Sequence, residues 1–149
     1  MKVLYVCTAN ICRSPSAEFL LRDGAQALNV PDVVVGSAGV RALTGTPGCD
    51  LAPAMGSRSS KHSSRPLDES VVAWADLVLT AERAHMGHVI DLDPSKRSAT
   101  FTMLQAGRIA SWLLHMEMVQ AGRGRAAVGP DWRHRFAVDD PRGQVSALD

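Results

Sequence analysis

The chain has 149 residues, of which 46% are hydrophobic, 21% charged and 5% aromatic, a composition too apolar for disorder and a length suited to one domain that buries about 68–70% of its unfolded surface. Sixteen Lys and Arg against fifteen Asp and Glu leave a net charge of +1, so charge recommends no nucleic-acid or membrane partner, and no apolar run approaches the roughly 20 residues of a membrane span. Three cysteines, two of them close together at Cys7 and Cys12, give no disulfide framework, and the apolar run before Cys7 is too short for a signal peptide, so a cytoplasmic location is expected.

Residues 3–6, Val-Leu-Tyr-Val, form the continuous apolar run of a strand buried on both faces. A polar stretch follows, and Pro15 predicts a helix that begins there. Ala17, Leu20, Leu21, Gly24 and Leu28 repeat at helical spacing, with Glu18 placed in the first turn by this reading, where the helix dipole favours a negative charge. Val33, Val34 and Val35 predict a second strand running into Gly36-Ser37-Ala38-Gly39, whose small residues permit close approach of another backbone. Gly45, Pro47, Gly48 and Pro53 punctuate a loop with a short helix around 51–55, and the Ser-rich stretch 57–64, with Arg58, Lys61 and His62, reads as an exposed connection. A short helix over 67–74, a third strand at 77–79 and a fourth at Val89-Ile90 come next. Between 99 and 120 lies a longer helical pattern whose Phe101, Leu104, Ile109, Trp112, Leu113 and Met116 are expected to face the core. Arg123, Arg125, Arg133, His134 and Arg135 predict a basic surface loop over 122–135.

Strands alternating with helices predict a single α/β domain over 1–149, with a four-stranded, mostly parallel sheet and helices on both faces. Ligands of such sheets bind at the C-terminal ends of the strands. There the chain carries Cys7-Thr8-Ala9-Asn10-Ile11-Cys12-Arg13-Ser14. If backbone N–H groups of this loop converge with a helix N-terminus, the segment cradles a tetrahedral dianion. Arg13 would add two parallel charge-assisted hydrogen bonds, which a lysine cannot supply in that geometry. The same positive surroundings favour the thiolate of Cys7, the form that acts as a nucleophile. Zinc is not expected, because Cys7 and Cys12 would need Cys49 and His62, or His85 and His88, with no paired Cys-x2-Cys partner. Thiolate attack on a phosphate ester also asks for an acid to protonate the leaving group. Two Asp-Pro pairs compete, Asp93-Pro94 and Asp140-Pro141, with Asp139 beside the latter. For Asp93 a turn is expected.

The segment from Val6 to Pro15 resembles the N-terminal signature of the low-molecular-weight protein tyrosine phosphatases. Ser37-Ala38-Gly39, the stretch from Ala73 to Leu79, and Asp140-Pro141 fit that family in order. The resemblance implies Cys7 as nucleophile, Arg13 as ligand of the phosphoryl oxygens and Asp140 as general acid. It implies a phosphate-binding loop of Thr8, Ala9, Asn10, Ile11, Cys12, Arg13 and Ser14, with Asn10 and Ser14 shaping the loop and hydrogen-bonding the thiolate. No cofactor or metal is implied. The substrate would be a phosphotyrosine-bearing protein or a small phosphomonoester, and a tyrosine kinase is one candidate protein substrate.

The chain departs from the family pattern at Ala9, where many members have glycine, at Leu43, where some have tryptophan, and at Arg142 and Gly143, where aromatic residues are frequent. The short stretch after Pro141 implies a closing helix that is shortened or missing. Two further readings remain open. An arsenate reductase uses a similar anion loop but relays a disulfide through further cysteines, and Cys49 is the one cysteine outside the loop. A non-catalytic phosphate-binding module would have no use for the Cys7 thiolate. Cys7 and Cys12, on one short loop, are also candidates for a reversible disulfide under peroxide.

Overall fold

The computed structural model describes residues 1–50 and 61–120. They divide into a compact unit over 1–106 and a second unit that begins at Gly107. The elements run β1 (Lys2–Cys7), α1 (Arg13–Ala27), β2 (Val34–Gly39), α2 (Glu69–Trp74), β3 (Leu77–Thr80), α3 (Arg83–Leu92), a 3₁₀ turn (Pro94–Ala99), β4 (Thr100–Thr102) and α4 (Met103–Gln120). The four strands pair in parallel in the order β2-β1-β3-β4, the α/β sheet that the alternation of patterns predicts.

Side chains alternate across the central strand and feed two cores. Leu4 and Val6 pack with Val72, Ala75, Val78 and Val89 on the face covered by α2 and α3. Val3 and the partly buried Tyr5 pack with Val35 and Leu79 on the other face, against Leu21 of α1 and the first turn of α4. Both faces of β1 are therefore covered, which is why its sequence is a run of apolar residues rather than an alternation. From β1 the chain goes to β2 on one side and then crosses to β3 on the other. The crevice above the C-terminal end of β1 is the place where such sheets take ligands.

Several expected features stand differently. The helix α1 begins at Arg13, not Pro15; proline is tolerated two residues further in because no N–H of the first turn has a partner within the helix. Glu18 consequently lies beyond the first turn, where it pairs with Arg22 and accepts from the Ser37 hydroxyl. Phe19 is the large apolar residue that α1 buries, while Leu20 and Leu28 are exposed. Val89-Ile90 is helical: α3 begins after Glu82, whose backbone N–H is accepted by His85, and Val89 reaches the core from that helix. The fourth strand is instead Thr100–Thr102. Phe101 meets the core from β4, but Leu104, Ile109, Trp112, Leu113 and Met116 are exposed.

Asp93 forms the expected turn, accepting from the Ser95 N–H at 3.0 Å. The expected helix at 51–55, the first part of the Ser-rich stretch and the basic segment 122–135 lie outside the described residues. Among the described residues no helix is long and apolar enough to cross a membrane.

Candidate functional site

Cys7 ends β1 and is buried. The five residues that follow, 8–12, turn sharply back into α1, and the turn rests on Asn10, which adopts φ 56° and is fully buried. Asparagine is among the few residues that visit this left-handed region readily. Here every polar atom of its side chain is used. Its Nδ2 donates to Ser14 Oγ at 3.0 Å and to Ser37 Oγ at 2.8 Å, and its Oδ1 accepts from the Arg65 N–H at 3.0 Å. A buried amide satisfied on all sides makes the loop conformation costly to leave.

The outer surface of the loop is equally committed. The carbonyl of Cys7 accepts from Val40 N–H at 3.0 Å, that of Thr8 from Arg41 N–H at 2.8 Å, that of Ile11 from Cys49 N–H at 2.9 Å and that of Cys12 from Ser16 N–H at 3.0 Å. The Asn10 carbonyl accepts from His62 Nε2 at 2.7 Å. In a trans peptide the next N–H points opposite to the carbonyl, and none of the described peptide bonds is cis. The N–H groups of residues 8, 9, 11, 12 and 13 therefore face away from these partners. Successive amides turned to one side make an anion-binding concavity. The N-terminus of α1 adds to it, since its capping residue Cys12 supplies no side-chain cap and the first-turn amides stay available.

The Cys7 sulfur, at the start of the loop, lies 3.0 Å from Ser14 Oγ and 3.3 Å from the Asn10 backbone nitrogen. Arg13, at the exposed start of α1, pairs with Glu82 and directs Nη2 to Thr8 Oγ1 at 3.2 Å. That guanidinium holds the Glu82 carboxyl below the usual carboxylate range. Cys7, Cys12 and Cys49 are free thiols. The Cys12 thiol is pushed up to about 11, first by burial and then by its hydrogen bond with Cys49, so it is protonated at neutral pH.

The structure thus brings together Cys7, Thr8, Asn10, Arg13 and Ser14, with Ala9, Ile11 and Cys12 completing the loop. Asp140 and its neighbour Asp139 lie outside the described residues. Five contributors came from beyond the motif: Ser37 and Arg65 hold Asn10, His62 holds the carbonyl of Asn10, and Glu82 and His85 reach the loop from the start of α3. In the described part of the expected exposed connection at 57–64, Lys61 and Ser63 are exposed and His62 is half-buried, but Ser64 is buried and accepts from the Thr46 N–H at 3.0 Å. A histidine and an arginine three residues apart, His62 and Arg65, were the available signal there.

Gly39 supplies the close approach that its small neighbourhood predicted. A Cβ at this position would lie 2.7 Å from Thr8 O, 2.8 Å from Asn10 N and 2.9 Å from Ala9 C, all backbone atoms of the loop. Gly39→Ala is expected to displace the loop and lower stability by about 1–3 kcal/mol, the usual range for overpacking. Urea unfolding measures that loss, and the turnover of the same variant should fall with it; wild-type values for both would contradict the packing described.

The profile of the family described as low molecular weight phosphotyrosine protein phosphatase matches residues 2–107. The chain is 36% identical over 105 residues to a probable low molecular weight protein-tyrosine-phosphatase, EpsP, of Ralstonia nicotianae, covering 68% of this chain and 69% of that one. A low molecular weight protein tyrosine phosphatase structure from T. tengcongensis superposes with a TM-score of 0.63 at 34% identity, covering 70% of this chain and 74% of that one. A YwlE arginine phosphatase, as a cysteine-to-serine mutant with a phosphorylated active site serine, superposes with a TM-score of 0.55 at 29% identity over 68% of each chain. The chain spans about two thirds of the length of the curated relatives it matches, 69%, 64% and 66% for three of them.

Proposed function

Because this chain belongs to the low molecular weight phosphotyrosine protein phosphatase family, we propose that it hydrolyses phosphate monoesters through a phosphocysteine formed on Cys7. The observation that carries the reading is the commitment of the loop carbonyls to partners outside the loop, which leaves the loop amides for an anion beside the Cys7 sulfur, with Arg13 at the end of the same loop. Attack by the thiolate on phosphorus expels the leaving group in line. The amides and the planar fork of Arg13 hold the equatorial oxygens as charge spreads over them. Asp140 protonates the leaving oxygen and then, as carboxylate, activates the water that frees the cysteine; this role rests on the family resemblance of Asp140-Pro141.

The substrate is a phosphotyrosine-bearing protein, a tyrosine kinase among the candidates, and three free thiols suit a reducing cytoplasm. A second substrate class is favoured by the likeness to an arginine phosphatase: a phosphorylated arginine presents the same phosphoryl group on nitrogen instead of oxygen.

The test is turnover of p-nitrophenyl phosphate in EDTA, followed by matched phosphotyrosine and phosphoarginine peptides. Metal-independent release of phosphate with the phosphotyrosine peptide preferred is the expected result. Preference for phosphoarginine moves the chain to the second class, and no turnover of any of the three contradicts the reading. Asp140→Asn is expected to lower kcat by about 10²-fold on the phosphotyrosine peptide, within the worth of general acid catalysis. On activated aryl phosphates, whose leaving groups need no proton, the loss should shrink; a small, equal effect on both, with Asp139→Asn severe instead, would move the role to the neighbour.

A further inference from the structure

The start of α3 holds the loop in a way that the hydrolase reading does not use. His85 is the third residue of α3, buried, with both ring nitrogens engaged. Its Nδ1 accepts from the Glu82 backbone N–H at 3.2 Å, and its Nε2 lies 3.0 Å from Thr8 Oγ1. A nitrogen that accepts carries no proton. Burial holds the ring below the ordinary histidine range, outweighing the opposing pull of Glu82, so the neutral ring has its one proton on Nε2 and donates it to Thr8 Oγ1. The reverse arrangement, with Thr8 donating to Nε2, would put a proton on Nδ1 and aim it at the Glu82 N–H.

Thr8 Oγ1 receives a second hydrogen bond, from Arg13 Nη2 at 3.2 Å. A hydroxyl oxygen has two lone pairs, and here His85 and Arg13 take both. The hydroxyl hydrogen is therefore left as a donor, and among the described residues no acceptor for it is found. Its oxygen sits 3.2 Å from Nη2 of the guanidinium that would grip the anion, so the hydroxyl is close to where an anion oxygen would be held. We propose that the Thr8 hydroxyl, oriented by His85, donates a hydrogen bond to an oxygen of the bound phosphoryl group. Thr8 then acts on the substrate by its side chain as well as its backbone, and His85 is a positioning residue that never touches the substrate. The start of α3 thus sets the direction of one donor in the cradle. This assignment rests on the phosphatase reading of the loop.

The test is a double-mutant cycle of Thr8→Val and His85→Phe, with Thr8→Ser as the conservative control, read on kcat for p-nitrophenyl phosphate and on the Kd of inorganic phosphate. Thr8→Val should lower kcat about tenfold, as expected for one hydrogen bond to a charged group, and Thr8→Ser should restore most of it. His85→Phe should bring a comparable loss that disappears in the Thr8→Val background, because the two act as one unit. Wild-type kcat and phosphate affinity in Thr8→Val, or additive losses in the double variant, would overturn the proposal. If His85→Phe fails to fold, nitrogen NMR of the wild-type imidazole decides the orienting step: a proton on Nε2 supports it and a proton on Nδ1 overturns it. If the wild type turns nothing over, the hydrolase reading fails separately, and phosphate Kd in the same variants still judges the Thr8 donor, with unchanged affinity in Thr8→Val counting against it.

Discussion

Replacing Cys7 by serine is expected to abolish steady-state turnover while leaving inorganic phosphate bound with near wild-type affinity. The two halves of this result follow from different atoms. Turnover needs a sulfur that attacks as a thiolate and leaves as one, and a serine hydroxyl at the same place is a far weaker nucleophile without a base beside it. The loss should be on the order of 10⁴-fold or more, as for the removal of other covalent nucleophiles. Binding depends instead on the amides of residues 8, 9, 11, 12 and 13 and on Arg13. Their geometry is fixed by Val40, Arg41, Cys49, Ser16 and His62 from outside the loop, none of which the substitution touches. Titration of the variant with phosphate or vanadate separates the two effects. Undiminished hydrolysis would remove Cys7 from the chemistry, and loss of binding together with turnover would mean that the sulfur supports the loop itself.

Arg13→Lys should be nearly as damaging, although the charge is kept. A guanidinium offers parallel N–H groups in a rigid plane, and a lysine offers one mobile point charge. The plane is also held by both of its ends: one nitrogen pairs with Glu82 and another donates to Thr8 Oγ1, so the fork is oriented before any anion arrives. Preorganised donors of this kind matter most in the transition state, when charge spreads over the equatorial oxygens. A loss of about 10³-fold in kcat/KM is expected, at the lower end of what arginine contacts contribute to phosphoryl transfer. The loss should fall mainly on kcat. A variant within a few-fold of wild type would contradict the bidentate geometry and leave only a general requirement for positive charge.

Much of the candidate loop was legible because it is contiguous. Cys7 to Arg13 sit between a doubly buried strand and a helix with proline in its first turn, so residue types and local context carry the site. What surrounds the loop was not legible, because the contacts join residues distant in sequence. Asn10 meets Ser37 and Arg65, and Thr8 meets His85, through a fold that no short window contains. Gly39 is the intermediate case: its size announced a close approach but not which backbone approaches.

The sheet was legible in class and order of elements rather than in every strand. Thr100–Thr102 is too short to make a pattern, while Val89 and Ile90, β-branched and adjacent, imitate one inside α3. Local chemistry decides against them, since the Glu82 N–H and His85 Nδ1 start a helix in which Val89 is the residue facing the core. The apolar stripe of α4 has helical spacing, yet Leu104, Ile109, Trp112, Leu113 and Met116 are exposed; spacing tells which residues share a face, not whether anything packs against it.

The central claim is that phosphate passes through the Cys7 sulfur. Acid quench of the wild-type protein during turnover of a ³²P-labelled phosphotyrosine peptide, followed by peptide mapping, tests it directly. Label on the peptide that contains Cys7, lost on chase with unlabelled substrate at a rate matching kcat, is the predicted result. Sustained turnover with no labelled protein, or with the label on another residue, would contradict it.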